Sequence, residues 1–134
     1  MESADINWLA VVAAALVQVA LGALWYSPLL FARPWMRAVG KTEDELSAGG
    51  AGYALATLMA FVTAIVLAHV VDWAGAEGLL SGLLVGVVMW LGFVWTVLTV
   101  NTWFGGRSRA LWAIDSGYPL AALALMGAIL AVWD

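Results

Sequence analysis

Cysteine is absent from this chain. That excludes a disulfide framework, thiol chemistry and any Cys-ligated metal. Histidine occurs once, as His69. One histidine with Asp72 nearby is too few ligands for a metal site unless a symmetric oligomer completes it. Charge is scarce as well: five Lys and Arg and nine Asp and Glu make up 10% of the residues. A soluble domain carries about 25%. So few cations exclude nucleic-acid binding. Catalytic signatures are also missing. There is no Gly-x-Ser-x-Gly, no His-Glu-x-x-His, no phosphate-binding loop and no carboxylate pair inside an apolar run. We therefore expect no enzyme activity and no cofactor. Met1-Glu-Ser-Ala-Asp5 is acidic where a signal peptide needs cations, and no lipidation motif follows.

What remains is apolar. Hydrophobic residues make up 65% of the 134, and the mean hydropathy is +0.99. A small globular core cannot hide that much apolar surface, and the few charges gather at the ends of long apolar runs. This is the pattern of a chain that uses lipid as its solvent. Length predicts one domain.

Four runs are long enough to span, at about 6–30, 52–72, 79–104 and 112–133. About 20 helical residues cross the ~30 Å hydrocarbon layer. Pro28 denies an N–H to the carbonyl of Leu24, so the first helix kinks or frays there. Arg33 to Lys41 mixes cations with Trp35, as an interfacial segment does. Thr42-Glu-Asp-Glu45 reads as a capping box. The short connection between 72 and 78 requires antiparallel neighbours. The third run exceeds one bilayer thickness, so it tilts or protrudes. The predicted fold is all-α: four transmembrane helices packed as a bundle of two hairpins.

Arg33, Arg37 and Lys41 lie in the first connection, and Arg107 and Arg109 in the third. With four spans these connections share a side. The positive-inside rule places that side in the cytoplasm and both termini outside. Glu2, Asp5, Asp72, Glu77 and Asp134 then face outward. The nine tryptophans fit this frame: Trp8, Trp73 and Trp133 at the outer boundary, Trp35, Trp103 and Trp112 at the inner one. Trp25, Trp90 and Trp95 lie deeper and pack between helices.

Residues 52–58 and 117–123 agree at five of seven positions, and the same offset superposes Trp25 on Trp90. Two readings stand: a parallel internal repeat about an axis normal to the membrane, or chance likeness in apolar sequence.

Several blocks carry a family resemblance: Ile6-Asn-Trp-Leu-Ala10, Leu24-Trp-Tyr-Ser-Pro-Leu-Leu-Phe31 with Trp35-Met36, the lone His69, Asn101 through Ser108, Ile114-Asp-Ser-Gly-Tyr-Pro-Leu120 and Met126-Gly-Ala-Ile-Leu130. Together they resemble the bacterial membrane family called domain of unknown function 1761, nearly end to end. The Trp-Tyr-Ser-Pro block is the most specific. Gly105 stands where the family pattern leads us to expect an acid. The resemblance implies a four-span membrane protein and no activity.

Among polar groups in the spans, Asp115 is the strongest candidate for a role, because an intramembrane acid needs a partner. Pro119 frees its carbonyl, and Arg107 or Arg109 lies within reach across the turn. Thr96, Thr99 and Asn101 fall at the same depth, which predicts a polar inner vestibule; the alternatives are a structural ion pair and threonines bonded to their own helix. Gln18 sits at mid-depth and reads either as an interhelical hydrogen bond or as a group lining a path. His69 and Asp72 share a helical face and read as a pH-sensitive pair or as boundary residues. Gly78, Gly82 and Gly86 form a smooth stripe for close helix packing, within the chain or between copies.

Two functions follow. The first is a structural or accessory membrane subunit with an unidentified membrane-protein partner. The second is a small channel or carrier with a polar path near Gln18 and Asp115. At 14.2 kDa one bundle hardly encloses a wide path, so a homo-oligomer is expected.

Overall fold

Asn7 begins the first helix. Its backbone is extended, and its side-chain oxygen accepts the N–H groups of Leu9 and Ala10 at 3.1 and 3.3 Å. That satisfies two of the amides a helix start leaves bare. Helix α1 spans Trp8–Trp25. It stops short of the expected boundary at 30 because Pro28 removes the donor for Leu24. The Ser27 amide (3.1 Å) and hydroxyl (2.6 Å) take that carbonyl instead and turn the chain. The computed structural model describes residues 5–41 and 49–133. The capping box at Thr42–Glu45, and Glu2 and Asp134, lie outside them.

The interfacial segment is itself helical: α2 spans Ala32–Val39 and ends at Gly40, whose φ of 77° is left-handed. Helix α3 spans Gly49–Trp73. Helix α4 spans Leu79–Gly105 and widens to a π-helix over Trp90–Trp95. Ser108 caps α5, Arg109–Val132, by accepting the Leu111 amide at 3.1 Å. The four long helices are apolar enough to cross a membrane. The family of all-α bundle expected from sequence is the one formed. At ~1.5 Å per residue the 18 residues of α1 reach about 27 Å and the 27 of α4 about 40 Å.

Helix α5 is the centre. It packs on α1, α3 and α4, and α2 rests against it. In its most apolar stretch 39% of residues are buried, against 6% in α4. The α1–α3–α5 core is built of small side chains, including Ala14, Ala15, Ala60 and Ala64, around Met126. Small residues let helices approach closely where lipid offers no hydrophobic drive. The two halves pack unequally: α1 lies along α5, whereas α4 touches α3 only slightly.

The glycine stripe serves the α4–α5 contact within the chain. A Cβ on Gly82 would strike the carbonyl of Gly127, and one on Gly86 the carbonyl of Leu123. Gly78 does not belong to it. It sits in the turn before α4 at φ 90° with nothing within 4 Å of its Cβ position. Its role is backbone geometry, not packing.

Candidate functional site

Asp115 lies in the second turn of α5, where three elements converge on its carboxylate. Oδ1 accepts the Tyr26 hydroxyl at 2.8 Å and the Trp35 indole N–H at 3.0 Å. Oδ2 meets the Arg107 guanidinium at 3.4 Å. The carboxylate therefore has the end of α1, the middle of α2 and the α4–α5 turn as partners. Its side chain is 21% exposed, while that of Arg107 is 45% exposed. Three of its roughly four acceptor positions are filled by the protein.

The surrounding rings extend the arrangement. Tyr26 stands edge-on to Trp35 and to Tyr118, each with centroids 5.7 Å away. The Tyr118 hydroxyl donates to the backbone carbonyl of Gln18 at 2.9 Å. Gly22 makes room for it: a Cβ there would lie 2.9 Å from that hydroxyl. Trp25 donates to the carbonyl of Ile114 at 3.0 Å, and Trp90 to that of Ser116 at 2.8 Å. These carbonyls flank that of Asp115, which Pro119 leaves without its helical donor. Two indoles from two helices thus clasp α5 where its own ladder is interrupted. An indole N–H buried in an apolar bundle needs such a partner.

The Trp25-Tyr-Ser-Pro28 and Asp115-Ser-Gly-Tyr-Pro119 segments, remote in sequence, are therefore two halves of one interlock. A family model described as "Protein of unknown function (DUF1761)" matches residues 9–131. The chain belongs to that family. Searches among curated proteins and among solved structures find no match. In this DUF1761 chain three of the blocks that carried the resemblance, Leu24–Phe31 with Trp35-Met36, Asn101–Ser108 and Ile114–Leu120, meet at Asp115.

The other sequence candidates do not join them. Thr99 donates to the Trp95 carbonyl at 2.6 Å and accepts the Trp112 indole at 3.0 Å. Thr96 donates to Gly92 of its own helix at 2.8 Å. Asn101 is exposed on α4. None of these three hydrogen-bonds to Asp115 among the described residues. Gln18 keeps its Oε1 buried without a described partner. His69 bonds through Nδ1 to the Ile65 carbonyl at 2.7 Å and stands edge-on to Trp73. Asp72 is separate from it, lining a cavity of about 130 Å³ with Asp5, Asn7, Glu77 and Trp133 at the other end of the bundle.

The basic residues share the end that holds Asp115. Trp35 of α2 and Arg107 of the α4–α5 turn both reach that carboxylate, which brings Arg33, Arg37 and Arg109 to the same end. Of the boundary tryptophans, Trp8, Trp73, Trp103 and Trp133 are exposed. Trp35 and Trp112 turn inward to Asp115 and Thr99. Sequence reasoning missed Tyr26, Trp35 and Tyr118 as partners of the polar groups. A signal existed: each is a hydrogen-bond donor in or beside an apolar run, which in lipid demands an acceptor.

Proposed function

We propose that this protein is a structural or accessory subunit of a bacterial inner membrane, and that the Asp115 cluster is an interhelical lock. The observation that carries this reading is the occupied carboxylate: Tyr26, Trp35 and Arg107 hold it from three elements. A carboxylate serving a permeant or a substrate needs free acceptor positions facing a path. The channel reading gains no support, because Gln18, Thr99 and Asn101 do not converge on Asp115. We further propose that the basic end is cytoplasmic, with both termini outside, on the positive-inside rule. Homo-oligomerisation is a separate proposal: α4 is held by little more than α5, and the rest of its girth meets lipid or a second copy.

The native absence of cysteine makes orientation directly testable. Single cysteines at Glu77 and Ser108 are labelled with an impermeant maleimide in intact cells. Position 77 labels from outside, and position 108 only after permeabilisation; the reverse pattern overturns the orientation. Native mass spectrometry in gentle detergent tests assembly. A bound second polypeptide supports the accessory reading; a symmetric homo-oligomer without one favours the channel or carrier. Flux in proteoliposomes that vanishes in Asp115→Asn, with assembly intact, would replace the lock by a path.

A further inference from the structure

Helix α2 has two faces with different occupants. Ala32, Trp35, Met36 and Val39, spaced as one helical stripe, are buried or half-buried toward the bundle. Trp35 pins that face to Asp115. The opposite face presents Arg33 and Arg37, both exposed and one turn apart, with exposed Lys41 just beyond the helix end. The pin on Trp35 fixes which way the arginines point. Their Cβ atoms lie about 6 Å from each other, as i, i+4 neighbours do. That spacing suits two guanidinium groups on one phosphodiester, which arginine grips with paired hydrogen bonds.

Position decides which phosphodiester. Helix α2 begins seven residues after the apolar α1 ends at Trp25. The connection between them carries Leu29, 83% exposed, and Leu30, also exposed. Exposed leucines beside exposed arginines mark the depth where acyl chains give way to headgroups. Arg109 is exposed at this end too, while Arg107 is already engaged by Asp115. We infer that Arg33 and Arg37 form a headgroup site for an anionic phospholipid of the surrounding bilayer, with Lys41 and Arg109 at its rim. The site would fasten the Asp115 end of the bundle to an acidic leaflet. It needs only the membrane-spanning fold, and holds whichever side that end faces.

The test uses the full chain in nanodiscs of equal phosphatidylglycerol and phosphatidylcholine, released into a native mass spectrometer. The wild type is expected to retain phosphatidylglycerol several-fold over phosphatidylcholine. Arg33→Gln with Arg37→Gln brings the ratio to about one, and the double Lys variant keeps an intermediate preference. Should the Gln variant fail to fold, the wild type alone decides by salt. A headgroup contact at this exposed site weakens as ionic strength rises. A wild type without preference overturns the site. A preference that survives the Gln substitutions, or one indifferent to salt, places lipid selectivity elsewhere. Complete displacement by millimolar glycerol 3-phosphate assigns the arginines to a soluble anion and equally overturns the proposal.

Discussion

The Tyr26 hydroxyl lies 2.8 Å from the Asp115 carboxylate across 89 positions of sequence. It shares the accepting oxygen with the Trp35 indole at 3.0 Å. Either donor alone leaves that oxygen satisfied; loss of both strands it in a half-buried place. Tyr26→Phe and Trp35→Phe are each expected to destabilise by about 1.5–3 kcal/mol, as loss of hydrogen bonds to charged groups does. The double variant should lose more than the sum, because only it leaves the oxygen bare. Unfolding in detergent, followed by circular dichroism, measures the cycle. An additive result would mean that water replaces the donors freely.

Glycines on α4 should differ sharply by face. A Cβ on Gly86 meets the Leu123 backbone, which has no rotamer to yield, whereas Gly92 faces open space. Gly86→Val is expected to separate α4 from α5, at a cost of at least about 2 kcal/mol. Gly92→Val should stay within about 0.5 kcal/mol of the wild type, as surface substitutions do. Thermal unfolding of the two variants side by side gives the contrast. Equal losses would remove the tight glycine contact as the basis of α4 docking.

Tyr118 and Gly22 make a sharper pair, since one atom carries most of the conflict. Added at position 22, a Cβ lies 2.9 Å from the Tyr118 hydroxyl oxygen and 3.1 Å from the ring carbon bearing it. Gly22→Ala should destabilise by about 1–2 kcal/mol through overpacking. Tyr118→Phe removes the nearer atom and also the hydrogen bond to Gln18. In the Gly22→Ala background that second change should recover part of the loss, although alone it is unfavourable. A double variant weaker than either single would show that the strain lies elsewhere.

The four spans and the grouping of cations follow from hydropathy and charge, which are local properties, and the structure forms those helices. The Arg107–Asp115 pair was legible too, because eight residues separate the partners across one turn. The remainder of the lock was not. Nothing in the run of α1 states that Tyr26 will face α5, since an almost uniformly apolar helix has no polar side to set its rotation. The vestibule residues make no described bond to Asp115 for a related reason. Thr96, Thr99 and Asn101 share a depth with Asp115, but depth fixes height and not azimuth. Pro28 marked where α1 loosens: the hydropathy continues past Ser27, but the Leu24 carbonyl is taken by Ser27 and the helix stops.

Gln18 and Ser116 separate a lock from a path most directly. The Gln18 Oε1 and the Ser116 Oγ are buried without described partners, each a desolvated group with nothing in return. In a structural protein such groups are dispensable. Gln18→Met keeps the length and the backbone carbonyl that Tyr118 uses. Ser116→Ala keeps the carbonyl that Trp90 uses. Both variants should match the wild type or exceed it by up to about 1 kcal/mol, since replacing an unsatisfied polar atom removes its desolvation penalty. Melting temperatures of the two purified proteins check this. Destabilisation beyond about 1 kcal/mol would mean that these atoms have partners in the membrane. Unchanged stability with loss of growth in a deletion strain complemented by Gln18→Met would argue that the amide serves a ligand. Unchanged stability and unchanged growth leave Asp115 and its three donors as the polar chemistry this bundle needs to hold its shape.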